Sequence, residues 1–127
     1  MILVDSSAWI EYFNDGNRAP QIKKYLVDLD KIIVPTIVIF EVYKKISREI
    51  SNEDALRCIG SLNSCRVVDL NSEIALTAAD FSLEHKLGMA DSCILAAAFI
   101  YKAQLITLDH DFLHIPGVTV LSHSGNF

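Results

Sequence analysis

The stretch MILVDSSAWIEYF, residues 1–13, decides how this chain is read. Its first four residues are apolar without a break, and Asp5, Ser6 and Ser7 follow at once. An unbroken apolar run cut off by a polar residue suits a strand buried on both faces, as in a parallel sheet. The next eight residues, SSAWIEYF, suit a helix with Ser6 or Ser7 available as its N-cap. Asp5 therefore has two readings. It can accept an orphan helix N–H, or it can belong to a site at the end of the strand. Where the other acids fall decides between them.

The same two patterns alternate along the rest of the chain. Residues 31–35 (KIIVP) read as a second buried strand, and 66–70 (RVVDL), 104–109 (QLITLD) and 118–121 (VTVL) as a third, fourth and fifth strand. Between them lie helical patterns over 19–29, 36–50, 51–64, 73–87 and 90–103. Their expected caps are Thr36, Ser51 or Asn52, and Asn71 or Ser72, with Gly88 closing the helix before it. Residues 110–114 (HDFLH) read as a turn or short helix, and the last residues as a frayed tail. Strands alternating with helices predict an α/β fold: a five-stranded parallel sheet between two helical layers, joined by right-handed crossovers.

The bulk properties agree. A chain of 127 residues suits one domain over 1–127 with one core. With half of it hydrophobic and few glycines or prolines, disorder is not expected. The longest apolar runs are too short to span a bilayer, and no leader pattern opens the chain. Three cysteines without C-x-x-C spacing argue against a disulfide framework and fit a reducing cytoplasm. A net charge of −5 argues against simple electrostatic coating of nucleic acid, but leaves room for an acidic centre with a basic rim.

In a parallel sheet all strands end on one edge, where open α/β folds bind ligands. Asp5 and Asp109 end strands, Asp91 starts a helix, and Glu41 lies about a turn and a half into another. All four are thereby directed to one rim. Each has a simpler reading: Asp91 as complement to a helix dipole, Asp109 as a turn former, Glu41 as i,i+4 partner of Lys45. Against the last, Glu41 is the sole polar residue between Ile37 and Tyr43. Carboxylates gathered in this way repel one another unless a hard divalent cation neutralises them. Such ions activate water for attack on a phosphodiester.

The segments LVDSSAWIEYF, PTIVIFEV, MADSCILAAA and LITLDHDF resemble the motifs of PIN-domain ribonucleases, and the length and element order resemble VapC toxins of toxin–antitoxin systems. The resemblance implies Mg²⁺- or Mn²⁺-dependent cleavage of single-stranded or loop RNA, homodimerisation and inhibition by a co-expressed antitoxin. It places Asp5 beside Asp109 on central strands and leaves Asp69 on an outer one. Asp5, Glu41 and Asp91 match its acidic positions, and Asp109 or Asp111 the fourth. Asp109 is preferred, with Asp111 expected to cap the turn that follows. Ser7 and Thr107 match small hydroxyl positions that hydrogen-bond the first acid or metal-bound waters. Lys44, Lys45 and Arg48 are the candidates for RNA phosphate contacts. Alternatives are a PIN nuclease of RNA processing and a non-catalytic PIN module. His110 and His114 stand at i,i+4 as zinc ligands can, but HDFLH lacks the Glu of H-E-x-x-H and no third soft ligand is close in sequence, which argues against zinc. Trp9, Tyr12 and Phe13 fit core packing or a partner groove better than base stacking.

Overall fold

The computed structural model describes residues 1–121. The expected frayed tail, with His123, lies outside these residues. The strands are β1 (Ile2–Val4), β2 (Ile32–Pro35), β3 (Arg66–Val68), β4 (Gln104–Thr107) and β5 (Val118–Val120). They form one all-parallel sheet in the order β3-β2-β1-β4-β5. Leu3 and Val4 of β1 and Leu105 and Ile106 of β4 are fully buried, as the unbroken apolar runs require. The helices are α1 (Ser6–Phe13), α2 (Ala19–Lys23), α3 (Thr36–Glu49), α4 (Asn52–Asn63), α5 (Ser72–His85) and α6 (Met89–Ile100). Right-handed crossovers put α1 to α4 on one face and α5 and α6 on the other. Ser92 to Ala98 of α6 are buried without interruption, its alanines allowing close approach on all sides. No helix among the described residues is long and apolar enough to cross a membrane.

The chain leaves β1 towards β2 and β3, then returns to β4 on the other side of β1. This reversal opens a crevice beyond the strand ends, the usual ligand position in such sheets. Val4 pairs with Ile106, so Asp5 stands one residue past the end of that pairing. Its N–H still donates to the Ile106 carbonyl at 2.9 Å. Asp69 follows β3 at the edge of the sheet, away from the reversal.

Several local expectations are corrected. Asp5, rather than Ser6 or Ser7, is the N-cap of α1, because the helix starts at Ser6 immediately after the strand. Thr36 is the first residue of α3 and Pro35 its N-cap; the Thr36 hydroxyl accepts instead from Leu70 N–H at 3.2 Å. The helix expected over 19–29 stops at Lys23, where tight i→i−3 bonds from Tyr25 and Leu26 end it. A 3-10 turn at Leu29–Lys31 then leads into β2. Gly88 does not close α5. Lys86 takes the left-handed conformation there, with φ 58°, and Gly88 is the extended N-cap of α6. The Leu87 carbonyl between them accepts from the Ser82 and Ser92 hydroxyls at 2.8 and 3.3 Å, which fixes the junction. Trp9 is 2% exposed and stacks on Phe13 at 5.5 Å, a packing role.

Ser51 caps α4: its Oγ accepts from Asp54 N–H at 3.0 Å and donates to the Asp54 carboxylate at 2.9 Å. Ser51→Ala should lower stability by about 1 kcal/mol, the usual cost of a lost N-cap. Asn52→Ala, at the exposed first helical position, should change it by less than about 0.5 kcal/mol. Urea unfolding of both variants checks this, and equal losses would refute the cap assignment.

Candidate metal centre at the sheet reversal

Asp5 is the most buried acid, with 2% of its surface exposed. Burial pushes its pKa up, and hydrogen bonds from Thr107, Ser7 and Ser6 pull against this, while Asp109 nearby adds repulsion. Thr107 Oγ1 donates to Oδ2 at 2.6 Å and Ser7 Oγ donates to the same oxygen at 3.1 Å. Ser6 N–H donates to Oδ1 at 2.6 Å. Such bonds offset the desolvation of a buried carboxylate. The two hydroxyls also tie down the end of β4: Thr107 Oγ1 accepts from Asp109 N–H at 3.0 Å, and Ser7 Oγ from Leu108 N–H at 3.1 Å. Ser7 and Thr107 thus bond the first acid.

Glu41 does not pair with Lys45. Its Oε1 accepts from Ser6 Oγ at 2.8 Å, while Lys45 reaches Glu49 at 4.0 Å. Desolvation first, then repulsion from Asp5 and Asp109, raises the Glu41 pKa against that bond. Asp91, in the first turn of α6, is pushed up from 3.8 to about 7. Desolvation is the main cause, followed by the charges of Asp5, Asp109 and Glu41. Four acids separated by up to 104 positions (Asp5 to Asp109) therefore meet at the crevice between β1 and β4.

Asp109 caps the 3-10 turn His110–Phe112, its Oδ1 accepting from Asp111 N–H at 2.9 Å. The expected cap was Asp111, before a turn at Phe112; the turn starts two residues earlier, at His110, which gives the capping position to Asp109. Asp111 is exposed, yet its carboxylate joins those of Asp91 and Asp109, with one oxygen from each lying within 4.8 Å of the others. That spacing allows the three to share an ion, and an all-oxygen donor set suits a hard divalent cation. Among the described residues this is the one such group, and it contains no histidine. His110 and His114 do not share a helical face, because the 3-10 turn ends at Phe112 and His114 has φ 72°. Lys44, Lys45 and Arg48 are exposed and line, with Ser6, Ser7 and Glu41, a cavity of about 310 Å³ beside the acids. Ser6 was missed as a site residue in the sequence. Only its long-range bond to Glu41 reveals it, and no local pattern carries that signal.

A family model described as PIN domain matches residues 2–118. The chain belongs to the PIN domain family. No curated protein sequence gives a significant match. Among solved structures, this PIN domain is similar to a toxin–antitoxin complex from Klebsiella pneumoniae, at 26% identity and TM-score 0.79, covering 94% of this chain and 97% of that one. It shares the fold of VapC20 from Mycobacterium tuberculosis, described as a sarcin–ricin loop cleaving toxin, at 18% identity and TM-score 0.74 over 88% and 92% of the two chains. VapBC-1 from nontypeable Haemophilus influenzae has the same fold, at 22% identity and TM-score 0.71 over 96% and 98%. The chain thus has the VapC-like PIN fold.

The Asp91 shift makes the PIN domain's stability depend on pH. The unfolded chain releases this proton near pH 3.8 and the folded chain keeps it to about 7, so the folded state binds the extra proton in that window. Stability in the presence of chelator should therefore fall as pH rises from about 4 to about 7. The raised values of Asp5 and Glu41 act in the same direction. Asp91→Asn should flatten the profile and raise the Tm at pH 8 with little change at pH 4.5. A wild-type Tm that climbs across this range would refute the repulsive cluster.

Proposed function

We propose that this PIN domain is a Mg²⁺- or Mn²⁺-dependent endoribonuclease, the toxin of a VapBC-type pair. In this reading residues 1–127 act as one nuclease domain in the cytoplasm, as a homodimer held in check by an antitoxin. The observation that carries the reading is the convergence of Asp5, Glu41, Asp91 and Asp109 at the sheet reversal. Likeness to the Klebsiella toxin–antitoxin complex over nearly the full length of both chains supports the toxin assignment. The RNA-cleaving description of VapC20 supports the substrate class.

A divalent cation would be held by Asp91, Asp109 and Asp111, with Asp5 and Glu41 adding negative charge beside it, and when bound would supply the charge that activates water and stabilises the leaving oxygen of a phosphodiester. The chain's own groups prepare the place. Thr107 and Ser7 hold Asp5 in one orientation, so its charge needs no reorganisation. Ser6 aims Glu41, and Asp111 N–H aims Asp109. Asp91, pushed up to about 7 by burial and the neighbouring acids, is only partly ionised at neutral pH, and a bound cation would favour its charged form. Lys44, Lys45 and Arg48 supply the basic wall against which phosphates rest.

Purified protein incubated with tRNA and rRNA, with Mg²⁺ and with chelator, tests the reading. Asp5→Asn and Glu41→Gln keep shape but remove charge. Each should cut cleavage by about a hundredfold or more, the scale seen when a preorganised electrostatic group is lost, and RNA binding should persist. Lys44→Ala, Lys45→Ala and Arg48→Ala should instead weaken binding across sequences and reduce its salt dependence. Wild-type cleavage by Asp5→Asn, with contaminating nuclease excluded, would refute the site.

Metal binding has a readout without RNA. Millimolar Mg²⁺ or Mn²⁺ should raise the Tm of chelator-treated protein, because the ion binds the folded state alone. The rise should be lost in Asp91→Asn combined with Asp109→Asn. A Tm unmoved by saturating metal counts against a preformed centre.

A further inference from the structure

The core face of α3 is built from Val38, Val42 and Ile46. Phe40 is not on it: 58% of its surface is exposed, one residue before Glu41. Phe40 lines the same cavity as Ser6, Ser7 and Glu41 and as Lys44 and Arg48. Lys44 stands over the ring, with Nζ 5.6 Å from the centroid. Among the described residues no carboxylate pairs with Lys44, whereas Lys45 and Arg48 both reach Glu49, at 4.0 and 3.2 Å. Phe40, Lys44 and Arg48 recur at i, i+4 and i+8, so they form one line along the helix that begins beside the acids. An aromatic ring more than half exposed adds little to the core, and its place beside both acids and cations suits a ligand with a flat apolar face and negative charge.

We infer that Phe40 is the stacking platform for one base of a single-stranded RNA, adjacent to the phosphate that is cut. The inference rests on the ribonuclease reading. A cavity of about 310 Å³ is at the small end of ligand sites and admits one extruded nucleotide, not a duplex. An aromatic face accepts any base, while cations along the helix track the backbone. Lys44 orients the empty ring through its cation–π contact, and its unpaired ammonium turns to the phosphate beside the stacked base. Phe40 so sets the register of the strand: the base goes on the ring, and the next phosphate lies over Glu41 and its acidic neighbours. Paired RNA cannot offer an unstacked base, which restricts the site to loops and single strands.

The test uses the full chain with chelator, so that binding is read without cleavage. The probes are short single-stranded RNAs carrying 2-aminopurine, whose fluorescence is quenched on stacking. Wild-type protein should bind and quench the probe. Phe40→Ala should weaken binding by about five- to 150-fold, the range for loss of one base–aromatic stack, and abolish the quenching. Phe40→Trp should keep both. Leu76→Ala, which removes another exposed apolar side chain far along the sequence, should match wild type. With metal restored, Phe40→Ala should blur the position of cleavage on a labelled loop RNA. Unchanged affinity and quenching in Phe40→Ala, alongside active wild type, would overturn the stacking platform alone. So would a Phe40→Ala variant that loses only the capture of a protein partner. Wild-type protein that neither binds nor cleaves RNA overturns the ribonuclease reading and the platform with it.

Discussion

A carboxylate at the end of the central strand, almost wholly out of water, has to be hydrogen-bonded or it will not stay charged. Asp5 meets that requirement with bonds from two segments distant in sequence: Ser6 and Ser7 at the start of α1, and Thr107 at the end of β4. The same hydroxyls accept backbone N–H groups from Leu108 and Asp109. A small polar network therefore joins the first helix to the fourth strand and holds the next acid, Asp109, where it is. Loss of one member exposes the others to an unsatisfied buried group, which costs more than the bond alone contributes.

The carboxylates work against the fold that gathers them. Asp5, Glu41 and Asp91 all have raised pKa values, each from burial first and from the neighbouring acids next. Among the described residues no cation contributes to lowering those values, which is the pattern expected where a bound cation would supply the missing charge. The nearest basic residues stand further along α3, on the wall of the adjoining cavity. Acid and base are thus separated along one helix: Glu41 at the centre, Lys44, Lys45 and Arg48 towards the C-terminus. On the proposed reading, a polyanion would meet the second group and a metal ion the first.

The central strands were readable in the sequence because a buried parallel strand is an unbroken apolar run, as in β1 and β2; the edge strands β3 and β5 are only partly buried, and were readable by their valines. Asp5, Asp91 and Asp109 were readable because strand ends and helix starts share one edge of a parallel sheet. Glu41 was readable because it interrupts an apolar run. Less legible were the helix ends. Gly88 looks like a terminator by its type, yet Lys86 takes the left-handed position and Gly88 starts the next helix. The helix after Pro20 looks longer than it is, since its apolar spacing continues beyond the turn where its hydrogen bonds stop.

By itself, then, the sequence determined the alternation of strand and helix and the family of motifs at their junctions. Those depend on local periodicity and on residue type, which a linear chain records. Tertiary structure decided the partners. Glu41 has Lys45 one helical turn away, but bonds Ser6, 35 positions earlier, because α1 and α3 start at the same rim. Asp109 and Asp111 are near-equivalent in the sequence; the start of the 3-10 turn makes the first the cap and lets the second join Asp91. Phe40 reads as one more apolar residue of α3, and only the direction of the core face leaves it in solvent beside the acids. Contacts of this kind are set by how elements pack, and no spacing along the chain encodes them.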